Sequence, residues 1–92
     1  MTLEFTKNQN VWSAEFKAES DFNLHIEGVK EGDVEIYQRG TESGAYSHVR
    51  GATPYPSFSN VYDFDFAGVV YPKYIKVECP VEPTMAIVTY NA

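Results

Sequence analysis

The sequence is dominated by short segments in which apolar and polar residues alternate with a period of two. The clearest are residues 12–18, 22–27 and 74–79. In an extended chain this alternation sends one set of side chains to a core and the other to solvent, so it predicts half-buried β-strands. An amphipathic helix needs an apolar stripe at spacings of three and four residues over about ten positions. No segment provides such a stripe, and the chain is predicted to be all-β.

Glycine, proline and short polar residues divide these segments into a regular series. Further alternating segments occur at 2–6, 34–39 and 61–66, and strands are also predicted at 45–50, as the partner of 34–39 in a hairpin, and at 85–90, which is rich in β-branched residues. Between them lie a polar loop at 7–10, turns at 19–21, 28–32 and 80–83, a hairpin loop at 40–44 and an irregular Pro-containing excursion at 51–57. Seven or eight strands spaced by about 8–12 residues are typical of antiparallel β-sandwiches and small barrels. We expect one domain over residues 1–92, a single antiparallel β-sandwich of the jelly-roll or immunoglobulin-like kind.

The inward set of side chains predicts the composition of the core. We expect ten residues to be buried: Phe16, Leu24, Ile26, Val34, Ile36, Phe64, Phe66, Ile75, Val77 and Val88. A chain of 92 residues builds only a thin core. Its lone cysteine, Cys79, allows neither an intramolecular disulfide nor a cysteine-based zinc site. The chain is therefore expected to work in a reducing compartment or to gain stability by assembling with other chains.

The charge balance argues against several classes of partner. Seven Lys and Arg against thirteen Asp and Glu give a net charge of −6 and a pI of about 4.7. Because phosphate backbones and anionic bilayers attract basic surfaces, neither nucleic acid nor a membrane surface is expected as partner. The alternating N-terminal residues 1–6 do not resemble a signal peptide, and no apolar run approaches the ~20 residues of a transmembrane helix.

A search for catalytic or metal-binding residues identifies few candidates. Cys79 falls in phase with Ile75 and Val77, so it is expected to be a small buried side chain, and the two histidines, His25 and His48, lack a neighbouring acid pattern in the sequence. Asp63 and Asp65 share one strand face, and Glu78 on another strand is the remaining candidate for a calcium or acid–base cluster. A solvated strand face explains these carboxylates better, so no catalytic residue, metal or cofactor is predicted.

Aromatic residues are the feature that most favours a binding role. The chain has seven Tyr, six Phe and one Trp. Several tyrosines fall near turns or on the polar side of strands, where a flat ring can anchor a protein interface or stack on a sugar. Protein contacts are favoured because tyrosine is common among interface hot spots. The predicted interface residues are Tyr37, Tyr46, Tyr55, Tyr62 and Tyr71.

Three groups of residues carry a resemblance to a known class of proteins. They are Trp12-x-x-x-Phe16 with Asp21-Phe22-x-Leu24-x-Ile26; Gly32-Asp33-Val34-Glu35-Ile36-Tyr37 with Gly44-Ala45-Tyr46-x-x-Val49; and Tyr74-Ile75-Lys76-Val77 with Pro83-Thr84-x-Ala86-x-Val88. The arrangement, over residues 11–90, resembles the small β-sandwich proteins that tailed bacteriophages use as head auxiliary, decoration or fibre components. More loosely, it resembles carbohydrate-binding sandwiches. Where the phage proteins often carry an Asp-Gly turn before a Trp, this chain has the 40–44 loop and Tyr46.

The resemblance implies a non-enzymatic virion protein, made in the host cytoplasm. Its expected partners are other virion proteins or its own copies in a homo-oligomer, contacted through sheet edges and tyrosine-rich loops. The alternative is a carbohydrate-binding module that uses Tyr55, Tyr62 or Trp12 as a stacking platform for a glycan. A small enzyme is the least favoured of the three hypotheses.

Overall fold

The structure is a computed structural model that describes residues 1–29, 33–52, 61–67 and 70–90. In these residues the alternating segments of the sequence form β-strands. These residues contain eight strands and no helix. The strands are β1 (Thr6–Asn8), β2 (Val11–Ala18), β3 (Phe22–Glu27), β4 (Val34–Arg39), β5 (Ser47–Ala52), β6 (Val61–Phe66), β7 (Lys73–Cys79) and β8 (Met85–Tyr90). The predicted all-β class is confirmed. No helix in this part of the chain is long and apolar enough to cross a bilayer.

The strands form two antiparallel sheets. The larger sheet has the order β1-β2-β7-β4-β5, and the smaller has the order β6-β3-β8. The pairings between these strands are antiparallel. The predicted β4–β5 hairpin is confirmed, whereas β2, β7 and β4 become neighbours although they are distant in the sequence. The larger sheet therefore brings together side chains whose proximity the sequence does not reveal.

One cluster of buried side chains joins both sheets. All ten residues predicted to form the core are buried, as is Cys79. The Phe22 ring of β3 stacks on Phe66 of β6 at a centroid distance of 4.7 Å and makes a T-shaped contact with Phe16 of β2 at 5.3 Å. Because β2 belongs to the larger sheet and β3 to the smaller, this edge-to-face contact connects the two sheets directly.

The N-terminal region differs from the prediction. Residues 7–10 were expected to form a loop, but Thr6–Asn8 forms β1 and pairs with β2. Gln9, with a φ of 60°, makes the tight turn that permits this pairing. Residues 1–3 instead run along β8, where Leu3 N–H donates to the Ala86 carbonyl at 2.9 Å. The predicted strand at 2–6 is thus divided between the two sheets.

Strand β5 lies two residues later than the predicted segment at 45–50. Ser47–Ala52 pairs with β4, and the register shifts between Ile36 and Tyr37, as at a β-bulge. The predicted excursion at 51–57 consequently begins inside the strand, and its residues 53–57 lie outside the described residues. The shifted register places His48 opposite Tyr37.

Candidate functional site

The outer side of the larger sheet brings aromatic and cationic side chains close to one another. We call this surface the tyrosine face and define it by Ser13, Glu15, Lys17, Glu35, Tyr37, Arg39, Tyr46, His48, Tyr74, Lys76 and Glu78. These residues alternate with the buried side chains of β2, β7 and β4, and Tyr46 precedes β5. The tyrosine face thus consists mainly of the outward-pointing side chains of β2, β4 and β7, which strand pairing brings next to one another.

The strand register arranges this face in three rows. Tyr74 lies between Lys17 and Arg39 in the first row. Lys76 lies between Glu15 and Tyr37 in the middle row, which His48 extends on β5. Glu78 lies between Ser13 and Glu35 in the third row. The face therefore changes along the strands from a cationic row to an acidic row.

Cations lie over the tyrosine rings at the centre of the face. The Arg39 guanidinium carbon is 4.2 Å from the centroid of the Tyr46 ring and 5.9 Å from that of Tyr74. The Lys76 ammonium is 4.8 Å from the Tyr37 centroid and 4.7 Å from the Tyr46 centroid. Each contact is a cation–π interaction of about 0.5–1 kcal/mol at an exposed site. Together they hold the cationic side chains against the sheet.

Hydrogen bonds fix the remaining members of the tyrosine face. Arg39 Nη1 donates to the Gly44 carbonyl at 2.9 Å, which ties the 40–44 loop to the face. His48 Nε2 contacts a carboxylate oxygen of Glu35, and its ring meets Tyr37 at a centroid distance of 5.3 Å. Lys76 lies 3.5 Å from Glu78. This arrangement is a partly ordered surface with both signs of charge.

Partial burial of the tyrosine hydroxyls changes their acidity. Desolvation is the main cause that raises the pKa of Tyr37, with a further contribution from the Glu78 carboxylate. Desolvation also raises the pKa of Tyr46, beside Glu15. Both phenols therefore stay protonated at neutral pH, where Tyr37 can donate to Glu78 and Tyr46 to Glu15.

The five tyrosines predicted from the sequence are distributed differently from expectation. Tyr37 and Tyr46 lie together on the tyrosine face, whereas Tyr55 lies outside the described residues. Tyr62 is only 3% exposed and belongs to the core, which corrects its expected place on the surface. The reason is its phase, because Tyr62 alternates with the buried Phe64 and Phe66 on β6. Burial raises the pKa of Tyr62 to about 12.

Tyr71 occupies a different place from the tyrosine face. Its ring is half-buried and packs against the core, and its peptide bond to Pro72 is cis. The hydroxyl is buried without a hydrogen-bond partner among the described residues. Burial is the main cause that raises its pKa to about 12, beside Asp21. Tyr71 therefore does not join Tyr37 and Tyr46 in one surface.

Arg39 and Lys76 were not recognised from the sequence as binding residues, and Tyr74, one of the tyrosines near turns or on the polar side of strands, was not among the five predicted interface residues. Tyr74 and Lys76 lie on the polar side of the alternation in β7, and Arg39 ends β4. That phase is a usable signal for exposure. The proximity of the three side chains depends on the β4–β7 pairing, for which the sequence holds no local signal.

A second polar cluster covers the outer side of the smaller sheet. His25 Nδ1 lies 2.9 Å from Asp63 and its Nε2 lies 2.7 Å from Glu27. Asn23 Nδ2 donates to Asp63 and, at 3.0 Å, to Asp65. The expectation that the histidines lack neighbouring acids is wrong for both, because β6 supplies Asp63 to His25 and β4 supplies Glu35 to His48.

The other residues considered for catalysis or metal binding do not lie together in one site. Asp63 and Asp65 lie on the smaller sheet, whereas Glu78 belongs to the larger, so the three predicted carboxylates do not form one cluster. Cys79 is buried as expected, and desolvation raises the pKa of its thiol to about 12. Within the described ranges, no group of three or more His, Cys, Asp and Glu residues is arranged to hold a metal ion.

Comparisons with known proteins identified no relative of this chain. A scan against protein-family models found no match, and searches of curated proteins and of solved structures likewise returned no match.

Proposed function

We propose that this chain is a non-enzymatic structural module that acts through protein–protein contacts made by its tyrosine face. The residues that support this proposal are Tyr37, Tyr46 and Arg39. Tyrosine and arginine are the types enriched at interface hot spots, where a large ring or a planar cation contacts much surface with few rotatable bonds. Here three half-buried tyrosines and an arginine lie within one surface.

The cations over the rings favour a protein partner above a sugar. A ring that stacks on a sugar must offer an open face, but Tyr46 has Arg39 at 4.2 Å and Lys76 at 4.7 Å from its centroid. Such cation–π pairs instead pre-organise both groups, which reduces the conformational entropy lost when a protein surface packs against them. This is the single observation on which the choice between the two functions depends.

The biological setting that we propose is a virus particle, as a capsid decoration or head-fibre-type protein. The sequence resemblance to phage auxiliary proteins supports this setting, and the partners would be other virion proteins or further copies of this chain. As the fold for this role we propose a sandwich of the two sheets, of jelly-roll or immunoglobulin-like kind. The Phe16–Phe22 contact between the sheets supports the sandwich arrangement.

Carbohydrate binding is the second candidate, and one observation favours it. Tyr37 lies beside Glu78 and Tyr46 beside Glu15, so aromatic rings and hydrogen-bonding carboxylates lie side by side on one surface, a combination suited to the apolar face and the hydroxyls of a sugar. The residues that would stack on the sugar are not those expected from the sequence. Tyr62 is buried, Trp12 packs against the core and Tyr55 lies outside the described residues.

Co-sedimentation with particles tests the proposed function. Lysates of cells producing the virus that encodes this chain are fractionated on a density gradient, and the chain is detected in the particle band. We expect wild type in that band, and we expect the Tyr37→Ala/Tyr46→Ala double variant to remain with free protein. Thr89→Ala, on the exposed side of β8, serves as the matched control and should behave as wild type. Wild-type protein confined to the free fraction, or binding to a glycan panel that the double variant loses, would contradict the proposal.

A further inference from the structure

Charge is distributed unevenly between the tyrosine face and the rest of the molecule. The face carries three permanent cations, Lys17, Arg39 and Lys76, and three carboxylates, Glu15, Glu35 and Glu78, which cancel. The net charge of the whole chain is −6, so the excess negative charge lies elsewhere. The outer side of the smaller sheet, for example, carries Glu27, Asp63 and Asp65 around a single histidine. The tyrosine face itself therefore adds no net charge repulsion when two copies of the chain meet through it.

The charges within the tyrosine face are also separated along the strands. Lys17 and Arg39 flank Tyr74 in the first row, and Glu78 and Glu35 lie directly opposite each other in the third. Two carboxylates at directly opposed positions of an antiparallel pair destabilise that pair. His48 and Lys76 compensate them only in part, because both are exposed enough to be screened by water. The acidic row is thus suited to receive a further cation.

Of the three permanent cations of the tyrosine face, Arg39 is the one for which the described residues supply no carboxylate partner. Among the described residues it contacts the Gly44 carbonyl and the rings of Tyr46 and Tyr74, and no Asp or Glu lies within ion-pair distance of it. Its Nε is buried without a hydrogen-bond partner. An arginine that is held in place by two rings and one carbonyl, and that has no carboxylate partner among the described residues, is pre-organised for a carboxylate from outside.

We propose that the occupant of the tyrosine face is a second copy of this chain, related by a two-fold axis that lies in the interface along the middle row. Such an axis reverses the strand direction and places the first row of each copy over the third row of the other. Arg39 of each copy then meets Glu35 of the other, twice per dimer, and Tyr37 lies near the axis. This is an isologous contact, in which one surface is complementary to itself.

The size of the molecule is compatible with this contact. The chain measures 34 × 30 × 20 Å and exposes 5589 Å². A standard interface buries about 800 Å² per partner, roughly a seventh of that surface. The broad side of a five-stranded sheet can supply this area. The inference rests on the proposed function, since it assumes that the tyrosine face is a protein-contact surface and specifies which protein it contacts.

Sedimentation equilibrium with charge reversal tests the two-fold arrangement. Wild type is expected to dimerise as its concentration rises. Arg39→Glu and Glu35→Arg each turn two attractive contacts into two repulsive ones, so each should weaken the dimer by roughly a hundredfold.

An equimolar mixture of the two variants should form a heterodimer. At one contact the carboxylate introduced at position 39 meets the guanidinium introduced at position 35, and at the other contact the native pair of Arg39 and Glu35 is kept. Both contacts are therefore attractive in the mixture, whereas each variant alone has two repulsive ones. Lys7→Glu and Glu82→Arg make the same charge changes at exposed positions off the face and should leave dimerisation unchanged.

Each outcome has a defined meaning, provided that circular dichroism shows every variant to be folded. Recovery of dimers in the mixture supports the arrangement, and the dimer is then the form expected on particles. A wild type that stays monomeric up to millimolar concentration, or a mixture that stays monomeric, overturns it. If the monomeric wild type still bands with particles in a Tyr46-dependent manner, only the second copy is excluded as partner. If the wild type is monomeric and also does not band with particles, the proposed function fails as well.

Discussion

The imidazole Nδ1 of His25 lies 2.9 Å from a carboxylate oxygen of Asp63, across the pairing of β3 with β6. The other ring nitrogen, Nε2, lies 2.7 Å from Glu27. A histidine can donate from both nitrogens only when it is protonated. The hydrogen bonds to Glu27 and then to Asp63 raise the pKa of His25, and the hydrogen bonds from Asn23 and then His25 lower the pKa of Asp63.

This arrangement predicts a pH optimum of stability. The raised pKa of His25 gives a contribution that is complete below the ordinary value of about 6.5 and is lost as the pH rises through the folded value. The lowered pKa of Asp63 gives a contribution that is present above about 3.9 and is lost as the pH falls through its folded value. Urea unfolding from pH 2 to 9 should therefore show a free energy of unfolding that declines as the pH rises above about 6.5 and declines again as the pH falls below about 3.9. His25→Gln should reduce the first of these declines, and an unchanged profile in this variant would contradict the assignment.

Gly28 is required by the geometry of the turn after β3. Its φ is +92°, and a Cβ added there would lie 2.8 Å from the backbone nitrogen of Thr84, which itself donates to the Glu27 carbonyl. Gly28→Ala should therefore lower the free energy of unfolding by about 1–3 kcal/mol. At Gly40 a Cβ would meet only the Lys73 ammonium at 3.7 Å, so Gly40→Ala is the control and should change stability by less than about 0.5 kcal/mol. Equal effects of the two changes in denaturant titrations would refute this explanation.

Leu24 tests the position of the core. Its side chain is fully buried on the central strand of the smaller sheet. Leu24→Ala should cost about 2–5 kcal/mol, because a cavity replaces buried methyl groups. Ile87→Ala, on the outer side of the neighbouring strand β8, should cost clearly less. A Leu24→Ala loss no larger than that of Ile87→Ala, measured by thermal and urea unfolding, would show that this face of β3 is not buried.

The thiol of Cys79 should be inert in the folded protein. It is 1% exposed, and burial raises its pKa to about 12, so almost no thiolate exists at neutral pH. Reaction with a disulfide reagent should proceed only as fast as the chain opens and should become immediate in denaturant. Thr89→Cys, which adds an exposed thiol on β8, provides the comparison and should react at once in the native protein. Immediate modification of both thiols in that variant would contradict the burial of Cys79.

The sequence predicts the strands well because their signal is local. Phe22, Leu24 and Ile26 alternate with polar neighbours, and that phase alone determines which side is buried. The same rule, applied to Tyr62 through its in-phase neighbours Phe64 and Phe66, predicts a buried ring. The expectation of an exposed Tyr62 failed because it was based on residue type.

Only the exposure of the residues in the tyrosine face, and not their proximity, could be predicted from the sequence. The exposure of Tyr37 follows from its phase, but its proximity to Lys76 depends on β4 pairing with β7, which is distant in the sequence. Long-range pairing is set by how whole sheets bury their apolar sides, and a single sequence contains no local mark of it. The His25–Asp63 contact was missed for the same reason, since β3 and β6 are distant in the chain.

Site-specific photo-crosslinking measures most directly whether the tyrosine face contacts protein. A photoreactive phenylalanine derivative is placed at position 46 in one variant and at position 89, on the outer side of the smaller sheet, in another. The cells that produce each variant are irradiated, and the covalent adducts are separated by mass and identified from their peptides. Covalent protein adducts, to virion proteins or to a second copy, should form at position 46 and be rare at position 89. Equal yields at the two positions, or no protein adduct at position 46, would contradict the assignment of this face as the contact surface.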